Sequence, residues 1–293
     1  MSMSYAGYLF FRFVVWVFSF IPFSVLYKIS DGLAWLLYRI IKYRKNVVIG
    51  QINISFPDKE QSEIQRIVSA SYSNLADIIV ESIKGFSMDQ SEFRRRYKFI
   101  NPEISLAYTN SNTLSAIHIG AHYGNWEWGA ISYPIWFPGS VLAFYKPLSN
   151  KFIEAYGRRM RGRLNIVLIP IGDTSKAFKD NGNNGTTYVF LSDQSTWSDK
   201  AHWVTFLGQD TACPPGADKY ARQLSCTVFF TDIQRVKRGF YEVSQFLLSD
   251  GRIALEEGEI TKRYMNKLEE IIITKPENWL WSHKRWKKKR IIN

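Results

Sequence analysis

His122 and Glu127 are the residues whose types and spacing most directly suggest chemistry. They lie in the segment His118-Ile-Gly-Ala-His-Tyr-Gly-Asn-Trp-Glu127, so the glutamate follows the histidine by five positions. A neutral imidazole can accept a proton from an alcohol, and a carboxylate on its other nitrogen fixes the tautomer and stabilises the cation that forms. Such a pair suits acyl transfer to a hydroxyl, which requires neither a metal ion nor a covalent enzyme intermediate.

The backbone between the two residues must be irregular if their side chains are to meet. On one regular helix Glu127 would be rotated by roughly 140° from His122, since each residue turns the helix by about 100°. Residues 114–119 predict a short buried strand, Gly124 interrupts any regular element after it, and Asn125 is a candidate N-cap. We therefore expect His122 on a strand-to-helix loop, with Glu127 in the first helical turn and within reach of the imidazole.

Two neighbouring features have different interpretations. His118 lies at the opposite strand parity to its apolar neighbours, which favours a packed or hydrogen-bonded histidine over a second base. The amides near Gly124 and Asn125, at the predicted helix start, are candidate donors to a developing oxyanion.

Charge and composition restrict the partners. The chain has 293 residues with 38 Lys plus Arg and 26 Asp plus Glu, so its formal net charge is +12. That excess predicts an anionic partner, and the 16% aromatic content, with 10 Trp, is typical of proteins at a membrane interface. No helix-turn-helix, zinc-finger or RNA-binding pattern is present, so no nucleic acid is expected. The two cysteines, Cys213 and Cys226, lack metal-ligand spacing, and we predict no metal or cofactor.

The N-terminal region predicts a membrane attachment. Residues 8–27 are nearly all apolar, close to the ~20 residues that cross a bilayer core, but Arg12 and Pro22 interrupt them. Residues 33–41 continue the apolar character, and the cations of residues 42–45 favour the cytoplasmic side. A single spanning anchor and an interfacial helical hairpin both fit this pattern, and a buried core helix is the alternative.

Two domains and an α/β fold are predicted from the remaining patterns. We predict an N-terminal anchor over residues 1–43 and a catalytic domain over residues 44–293. An amphipathic helix is predicted over 58–85, and later strands alternate with helices, which is typical of an α/β sandwich with a largely parallel or mixed sheet. The predicted strands are 114–119, 140–145, 166–169, 187–191, 227–232 and 239–246, and the later helices are 126–136, 150–163, 216–224 and 258–274. His122, Lys146 and Asp193 each follow a strand and are expected to converge at the carboxyl edge of the sheet.

Several segments together resemble one protein family. They are Arg44-Lys-Asn, Asn53-Ile-Ser-Phe-Pro57, the His118–Glu127 segment, Phe144-Tyr-Lys-Pro147, the Arg-rich residues 158–163, Leu191-Ser-Asp-Gln194, Phe206-Leu-Gly208, Gly216-Ala217 and Pro276-Glu-Asn-Trp-Leu-Trp-Ser-His-Lys-Arg-Trp286. In this order and spacing they resemble the bacterial lipid A biosynthesis acyltransferases of the lauroyl/myristoyl group. The resemblance covers nearly the whole chain.

The resemblance implies transfer of a fatty acyl chain from acyl-acyl carrier protein to a hydroxyl of a lipid A precursor. It implies a glycerolipid acyltransferase-like α/β fold, held by an N-terminal membrane-anchoring helix at the cytoplasmic face of the inner membrane. His122 matches the catalytic histidine of the family and Glu127 its acidic partner. The family commonly has Arg where this chain has Lys146.

The substrate-binding candidates are chosen by charge and position. Arg159 and Arg161 suit a phosphate or an oxyanion because guanidinium groups form forked hydrogen bonds, although a solvated helix face is the alternative. Asp193 either supports the site or binds the acceptor, or it caps a turn, and Gln194 adjoins it. Gly124, Asn125 and Lys146 complete the set.

Three other functions remain open at this point. One is an acyltransferase that uses acyl-CoA and another glycolipid or an aminolipid. The second is a membrane lipid-binding protein without catalysis, which the intact His122 and Glu127 pair disfavours. The third is nucleic-acid binding through the basic residues 284–290.

Overall fold

A seven-stranded mixed sheet forms the centre of the fold, in a computed structural model that describes residues 3–109 and 114–290. The strands are β1 (Tyr97–Phe99), β2 (Ala116–Gly120), β3 (Ser140–Tyr145), β4 (Ile166–Pro170), β5 (Thr186–Leu191), β6 (His202–Phe206), β7 (Gln209–Cys213), β8 (Thr227–Lys237) and β9 (Phe240–Ser249). β6 and β7 form a separate antiparallel hairpin, and the other strands follow the order β1-β9-β8-β2-β5-β3-β4.

The strand directions place a parallel block beside an antiparallel edge. β8, β2, β5, β3 and β4 are all parallel to one another, whereas β9 runs antiparallel to β8 and has β1 parallel to it. The predicted α/β fold with a parallel or mixed sheet is confirmed.

Helices follow most of the strands. They are α1 (Met3–Phe20), α2 (Phe23–Trp35), α3 (Lys45–Ser55), α4 (Gln61–Gly85), α5 (Gln90–Arg96), α6 (Pro102–Tyr108), α7 (Trp126–Trp136), α8 (Lys151–Gly162), α9 (Thr174–Asn181), α10 (Gly216–Leu224) and α11 (Glu259–Thr274). The helix predicted over 126–136 is α7 and the one predicted over 216–224 is α10.

The sheet separates two hydrophobic cores. Ile117 and Ile119 of β2 pack into one core with side chains of α4 and α11, while Val141 and Ala143 of β3 pack into the other with α7. Successive strand residues point to opposite faces, so both faces of these strands are buried. Helices therefore cover the two faces of the sheet, as the sandwich prediction required.

The parallel block brings three loops to one edge. β2, β5 and β3 are neighbours, and their carboxyl ends lead into the loops that contain His122, Asp193 and Lys146 respectively. Gly120 of β2 pairs in register with Leu191 of β5, so the first two loops begin side by side. At this edge His122 contacts Asp193, whereas Lys146 is exposed.

The N-terminal helices pack on α4 and α8 while leaving an apolar face uncovered. The Lys84 ammonium donates to the carbonyls of Phe18, Ser19 and Ile21 at 2.8–3.0 Å, which joins the carboxyl end of α1 to α4. The side chains of Phe10, Phe13, Trp16 and Phe20 are exposed. α2 continues into a π-helical turn over Leu36–Ile40.

Within the described part of the chain, no helix combines the length and the apolar character needed to cross a bilayer. Residues 1–2 of the predicted anchor and residues 291–293 of the predicted catalytic domain lie outside the described residues, as do residues 110–113.

Candidate active site

The loop that contains His122 is held by the segment that follows α11. The Leu280 amide donates to the His122 carbonyl at 3.0 Å, and the Gly124 amide donates to the Asn278 carbonyl at 3.0 Å. Tyr123 and Trp279, which lie between these two hydrogen bonds, form an isolated antiparallel β-bridge. The loop conformation is thus fixed by a short antiparallel pairing with residues far away in sequence.

Gly124 allows the loop to turn beside β8. Its φ is +59°, and a Cβ added there would lie 2.8 Å from both the Cγ2 and the carbonyl oxygen of Ile233. Any other residue would be strained and would collide with the backbone of the strand. This glycine therefore has a structural reason to stand between His122 and Glu127.

The His122 imidazole is oriented by Asp193. Its Nδ1 lies 2.7 Å from Asp193 Oδ1, and Asp193 Oδ2 accepts a hydrogen bond from Trp279 Nε1 at 2.9 Å. Burial would raise the pKa of Asp193, but the charge of His122 and the hydrogen bonds from His122 and Trp279 lower the pKa below its usual value. An ionised carboxylate only accepts hydrogen bonds, so Nδ1 of His122 carries the proton.

The other ring nitrogen of His122 lies beside Gln194. His122 Nε2 lies 3.1 Å from Gln194 Nε2, and 18% of the His122 side chain is exposed, against 2% for Asp193. The Trp126 indole packs edge-on against the imidazole, with the ring centroids 5.1 Å apart. With Nδ1 protonated, Nε2 of the neutral ring has a lone pair that a ligand hydroxyl can reach by displacing the Gln194 amide.

Glu127 forms an ion pair with Arg161. Arg161 donates from Nη2 at 2.7 Å and from Nε at 3.2 Å to the same Glu127 oxygen. The side chains of Arg161 and Glu127 are 22% and 31% exposed respectively. Glu127 lies in the first turn of α7, as expected, but its hydrogen bonds in the described residues lead to α8, whereas those of the His122 imidazole lead to the loop after β5. The contact expected between His122 and Glu127 is thus replaced by two separate pairs.

The predicted oxyanion donors are engaged within the protein. The Gly124 amide is bonded to the Asn278 carbonyl. The Asn125 side chain caps α7 by accepting from the Trp128 amide at 2.9 Å, which confirms the predicted N-cap, and donates to Glu81 at 2.7 Å. These bonds leave neither the Gly124 amide nor the Asn125 side-chain amide free for an oxyanion.

The remaining cationic candidates lie on the surface. Lys146 and Arg159 are exposed, and the Arg159 guanidinium is 6.0 Å from the ring centroid of Tyr156. Lys146 has no hydrogen bond or ion pair with any other residue that the structure describes. Of the two predicted arginines, Arg161 is the one paired to Glu127.

His118 is a core residue. It is fully buried, its Nε2 lies 3.0 Å from Ser105 Oγ, and its ring contacts Tyr133, Phe137 and Phe229. Burial lowers the pKa of His118 to about 3, so the residue is uncharged at neutral pH. The structure agrees with the interpretation of His118 as a packed, hydrogen-bonded histidine.

Two residues of the site were not singled out from the sequence. Trp279 bonds Asp193, and His283 Nε2 accepts from the Ser195 amide at 3.1 Å, next to Gln194. Burial lowers the pKa of His283 to about 4. Both lie in the Pro276–Trp286 segment, whose three Trp residues and one His were the available signal. In the described residues no group of three or more His, Cys, Asp or Glu side chains is placed to hold a metal ion.

A histidine bonded to a buried carboxylate at the carboxyl edge of a parallel sheet is an arrangement that general acid–base catalysis can use. The chain belongs to the family described as bacterial lipid A biosynthesis acyltransferase, whose sequence model matches residues 2–288. It is 22% identical over 280 residues to the lipid A biosynthesis lauroyltransferase of Escherichia coli strain K12, covering 94% of this chain and 89% of that protein. The resemblance found in the sequence is confirmed, and the protein is an acyltransferase of lipid A biosynthesis.

Proposed function

We propose that this enzyme transfers a fatty acyl chain from acyl-acyl carrier protein to a hydroxyl of a lipid A precursor, with His122 as the general base. The observation that carries the proposal is the His122 imidazole, which is bonded through Nδ1 to a buried carboxylate and belongs to a partly exposed side chain. Membership of the family supports the reaction class. A glycerolipid acyltransferase-like fold, which the α/β architecture supports, is part of the same proposal.

The proposed reaction requires one proton to travel through His122. Nε2 takes the proton of the acceptor hydroxyl as its oxygen attacks the carbonyl carbon of the donor thioester. The tetrahedral intermediate then collapses, the carbon–sulfur bond breaks, and the leaving thiolate takes the proton from the imidazolium. Asp193 stabilises the transient cation, because a buried carboxylate acts at low dielectric on the adjacent ring.

Gln194 is the proposed donor to the oxyanion. Its amide nitrogen lies 3.1 Å from His122 Nε2, beside the position that the attacking hydroxyl must occupy. When the hydroxyl displaces it, this NH2 group remains next to the reacting carbon, where a fixed donor stabilises developing charge. This role replaces the one expected from the amides of Gly124 and Asn125.

Arg161 is the proposed contact for an anionic group of either substrate. Glu127 holds its guanidinium near the site with two hydrogen bonds to one oxygen, which leaves Nη1 for a phosphate. Glu127 then acts on the substrate through Arg161. The exposed Lys146 and Arg159 supply attraction at longer range, as the +12 charge does for an acidic carrier protein.

The proposed location is the cytoplasmic face of the inner membrane, with residues 1–43 as the attachment. Phe10, Phe13, Trp16 and Phe20 lie on one face of α1 and are exposed, which is typical of a helix that lies in the interface plane. The cations of residues 42–45 would meet anionic headgroups. This supports the interfacial alternative.

Mass spectrometry of lipid A tests the function. A strain that lacks the gene should lose one secondary acyl chain, and the wild-type gene should restore it. The His122→Ala variant should restore nothing, because a general base contributes about 10²–10⁴-fold to such a rate. A matched control is His202→Ala, since His202 bonds Thr261 outside the site. Restoration by His122→Ala at the wild-type level would refute the proposed base.

The purified enzyme identifies the donor. Turnover is measured with acyl-acyl carrier protein and with acyl-CoA at equal acyl concentrations. The carrier protein should give the higher kcat/KM, and this preference should shrink as salt is added, because the attraction depends on charge. Equal turnover with both donors at low salt would favour the acyl-CoA alternative.

A further inference from the structure

Glu81 of α4 is a fully buried carboxylate that the proposed reaction does not use. Tyr27 donates to its Oε1 at 2.9 Å, and Tyr241 and Asn125 donate to its Oε2 at 2.8 and 2.7 Å. Its backbone carbonyl accepts from the Trp128 indole at 2.8 Å. Burial raises the pKa of Glu81, whereas the hydrogen bonds from Tyr241, Tyr27 and Asn125 lower it and favour the acceptor form, around which three helices and a strand are organised.

The bond to Asn125 connects this acceptor to the active-site loop. Asn125 is fully buried and uses both ends of its amide, since Oδ1 caps the Trp128 amide while Nδ2 donates to Glu81. Rotating the amide by 180° would place NH2 against the Trp128 N–H and oxygen against the carboxylate. Glu81 therefore fixes the orientation of the cap on which α7 begins, three residues after His122.

The opposite side of Glu81 faces the N-terminal region. Tyr27 belongs to α2, whose Ser30 also bonds Asp77 at 2.6 Å. Asp77 forms ion pairs with Arg235 and Arg238, each at 2.6 Å, on the β8–β9 hairpin that contains Tyr241. One continuous polar network therefore runs from α2, through Glu81, to the cap of α7.

We propose that Glu81 is a positioning residue for the acyl transfer, and that it ties the placement of the His122 loop to the seating of α2 against α4. This rests on the proposed role of His122 as the base. Glu81 touches neither reacting atom, and it acts through Asn125. The consequence is that α2 contributes to turnover as well as to attachment.

A polarity-reversal cycle tests this proposal. Asn125→Asp keeps a good N-cap but presents an acceptor to Glu81, so two carboxylates meet in a buried site. We expect its kcat to fall on the order of 10²-fold, the effect of a misplaced catalytic group. Glu81→Gln should cost less than about tenfold, because its amide can rotate to donate to Tyr27, whose oxygen can accept.

The double variant is decisive. In Glu81→Gln with Asn125→Asp, the new amide can donate to the new carboxylate and to Tyr241 while its oxygen accepts from Tyr27. We expect kcat to return to within about tenfold of wild type. A double variant as slow as Asn125→Asp alone would overturn the proposal, as would an Asn125→Asp variant with wild-type kcat.

A second measurement separates this proposal from the proposed function. Hydrogen exchange of residues 120–130 should be faster in Asn125→Asp than in wild type and slow again in the double variant. Tyr188→Phe is the control, since it removes a hydrogen bond to the Gly182 carbonyl elsewhere in the sheet and should leave this exchange and kcat unchanged. If wild-type protein transferred no acyl chain, the proposed function would fail, and exchange would still report on the loop. Unchanged exchange in Asn125→Asp would overturn the positioning role.

Tyr27→Phe tests the connection to α2. It removes one donor to Glu81 without changing the apolar face of α1, so membrane binding should stay constant in a vesicle flotation assay. We expect kcat to fall about threefold to tenfold with KM unchanged, since the loss of one buried hydrogen bond perturbs the acceptor. Wild-type kcat in this variant would contradict the connection to α2.

Discussion

His118 and His122 lie four residues apart, but their side chains have different surroundings. His118 is inside β2, is enclosed by three aromatic rings and shares one hydrogen bond with Ser105. His122 is beyond the end of the strand, with Asp193 on one nitrogen and Gln194 beside the other. Residue type is the same in both cases, so position relative to the strand end determines the chemistry.

The difference shows what a parallel sheet supplies to a reaction. Within β2 the backbone is hydrogen-bonded to the neighbouring strands and the side chains pack against the helices. This packing leaves no room for a ligand. Beyond Gly120 the chain leaves the sheet, and the loop after β5 places Asp193 beside it. The contact between His122 and Asp193 therefore forms where two adjacent strands end together, in agreement with the general rule for the position of sites in such folds.

The largest expected effect comes from replacing the hydrogen-bond partner of His122, compared with replacing the partner of His118. Asp193→Asn should lower kcat by about 10²–10⁴-fold, because an amide can donate to Nδ1 and so stabilise the wrong tautomer of His122. Ser105→Ala removes the partner of His118 and should leave kcat within about twofold while lowering the free energy of unfolding by about 1 kcal/mol. Steady-state kinetics and urea unfolding measure both. If Asp193→Asn lowered kcat as little as Ser105→Ala, the two histidines would not differ in their importance for turnover.

The pH dependence of stability should distinguish the buried histidine. The pKa of His118 is lowered to about 3 in the folded protein, whereas the unfolded value is near 6.5. Between these values the unfolded chain binds the extra proton, so stability is retained above pH 6.5 and is lost as the pH falls towards 3. His118→Gln keeps a polar group for Ser105 but does not titrate.

Urea unfolding at several pH values checks this expectation. Between about pH 6 and pH 4 the free energy of unfolding of wild type should fall more steeply than that of His118→Gln, by about 1.4 kcal/mol per pH unit. Comparing the two slopes removes the contribution of Asp193, whose stabilisation is also lost in acid. Equal slopes would mean that His118 is charged in the folded protein.

The smallest expected effect concerns Glu127. If Asp193 orients the imidazole and Glu127 holds Arg161, Glu127→Gln should lower kcat/KM by about tenfold, mainly through KM, because a weakened ion pair loosens substrate binding. A loss in kcat as large as that of Asp193→Asn would restore Glu127 as the direct partner of His122. The two variants compared under identical conditions decide between the carboxylates.

Local patterns in the sequence were sufficient for the parallel half of the fold. β3 and α7 have the predicted bounds, since a short apolar strand run and an Asn cap before Trp126 are unambiguous signals. β6 and β7 were missed because their burial alternates weakly and their turn, Leu207-Gly208, follows no standard hairpin dipeptide.

The partner of His122 could not be deduced from spacing. His122 and Glu127 are close in sequence, and a loop permits their contact, but it does not require it. The contact with Asp193 depends on β5 lying beside β2, a long-range pairing that no local pattern specifies. Asp193 and Gln194 were named from their place at a strand end, and support of the site was one of the roles considered for Asp193, but its contact with His122 was not predicted.

The pairing of the His122 loop with Asn278 and Leu280 has a consequence for how the enzyme is made. During synthesis the strands of the sheet and His122 emerge from the ribosome first, since Trp279 is added more than 150 residues after His122. Until that segment arrives, the loop lacks its two backbone partners and Asp193 lacks its indole donor. The conformation of the loop that contains His122 can therefore be completed only after residues 278–280 have been synthesised.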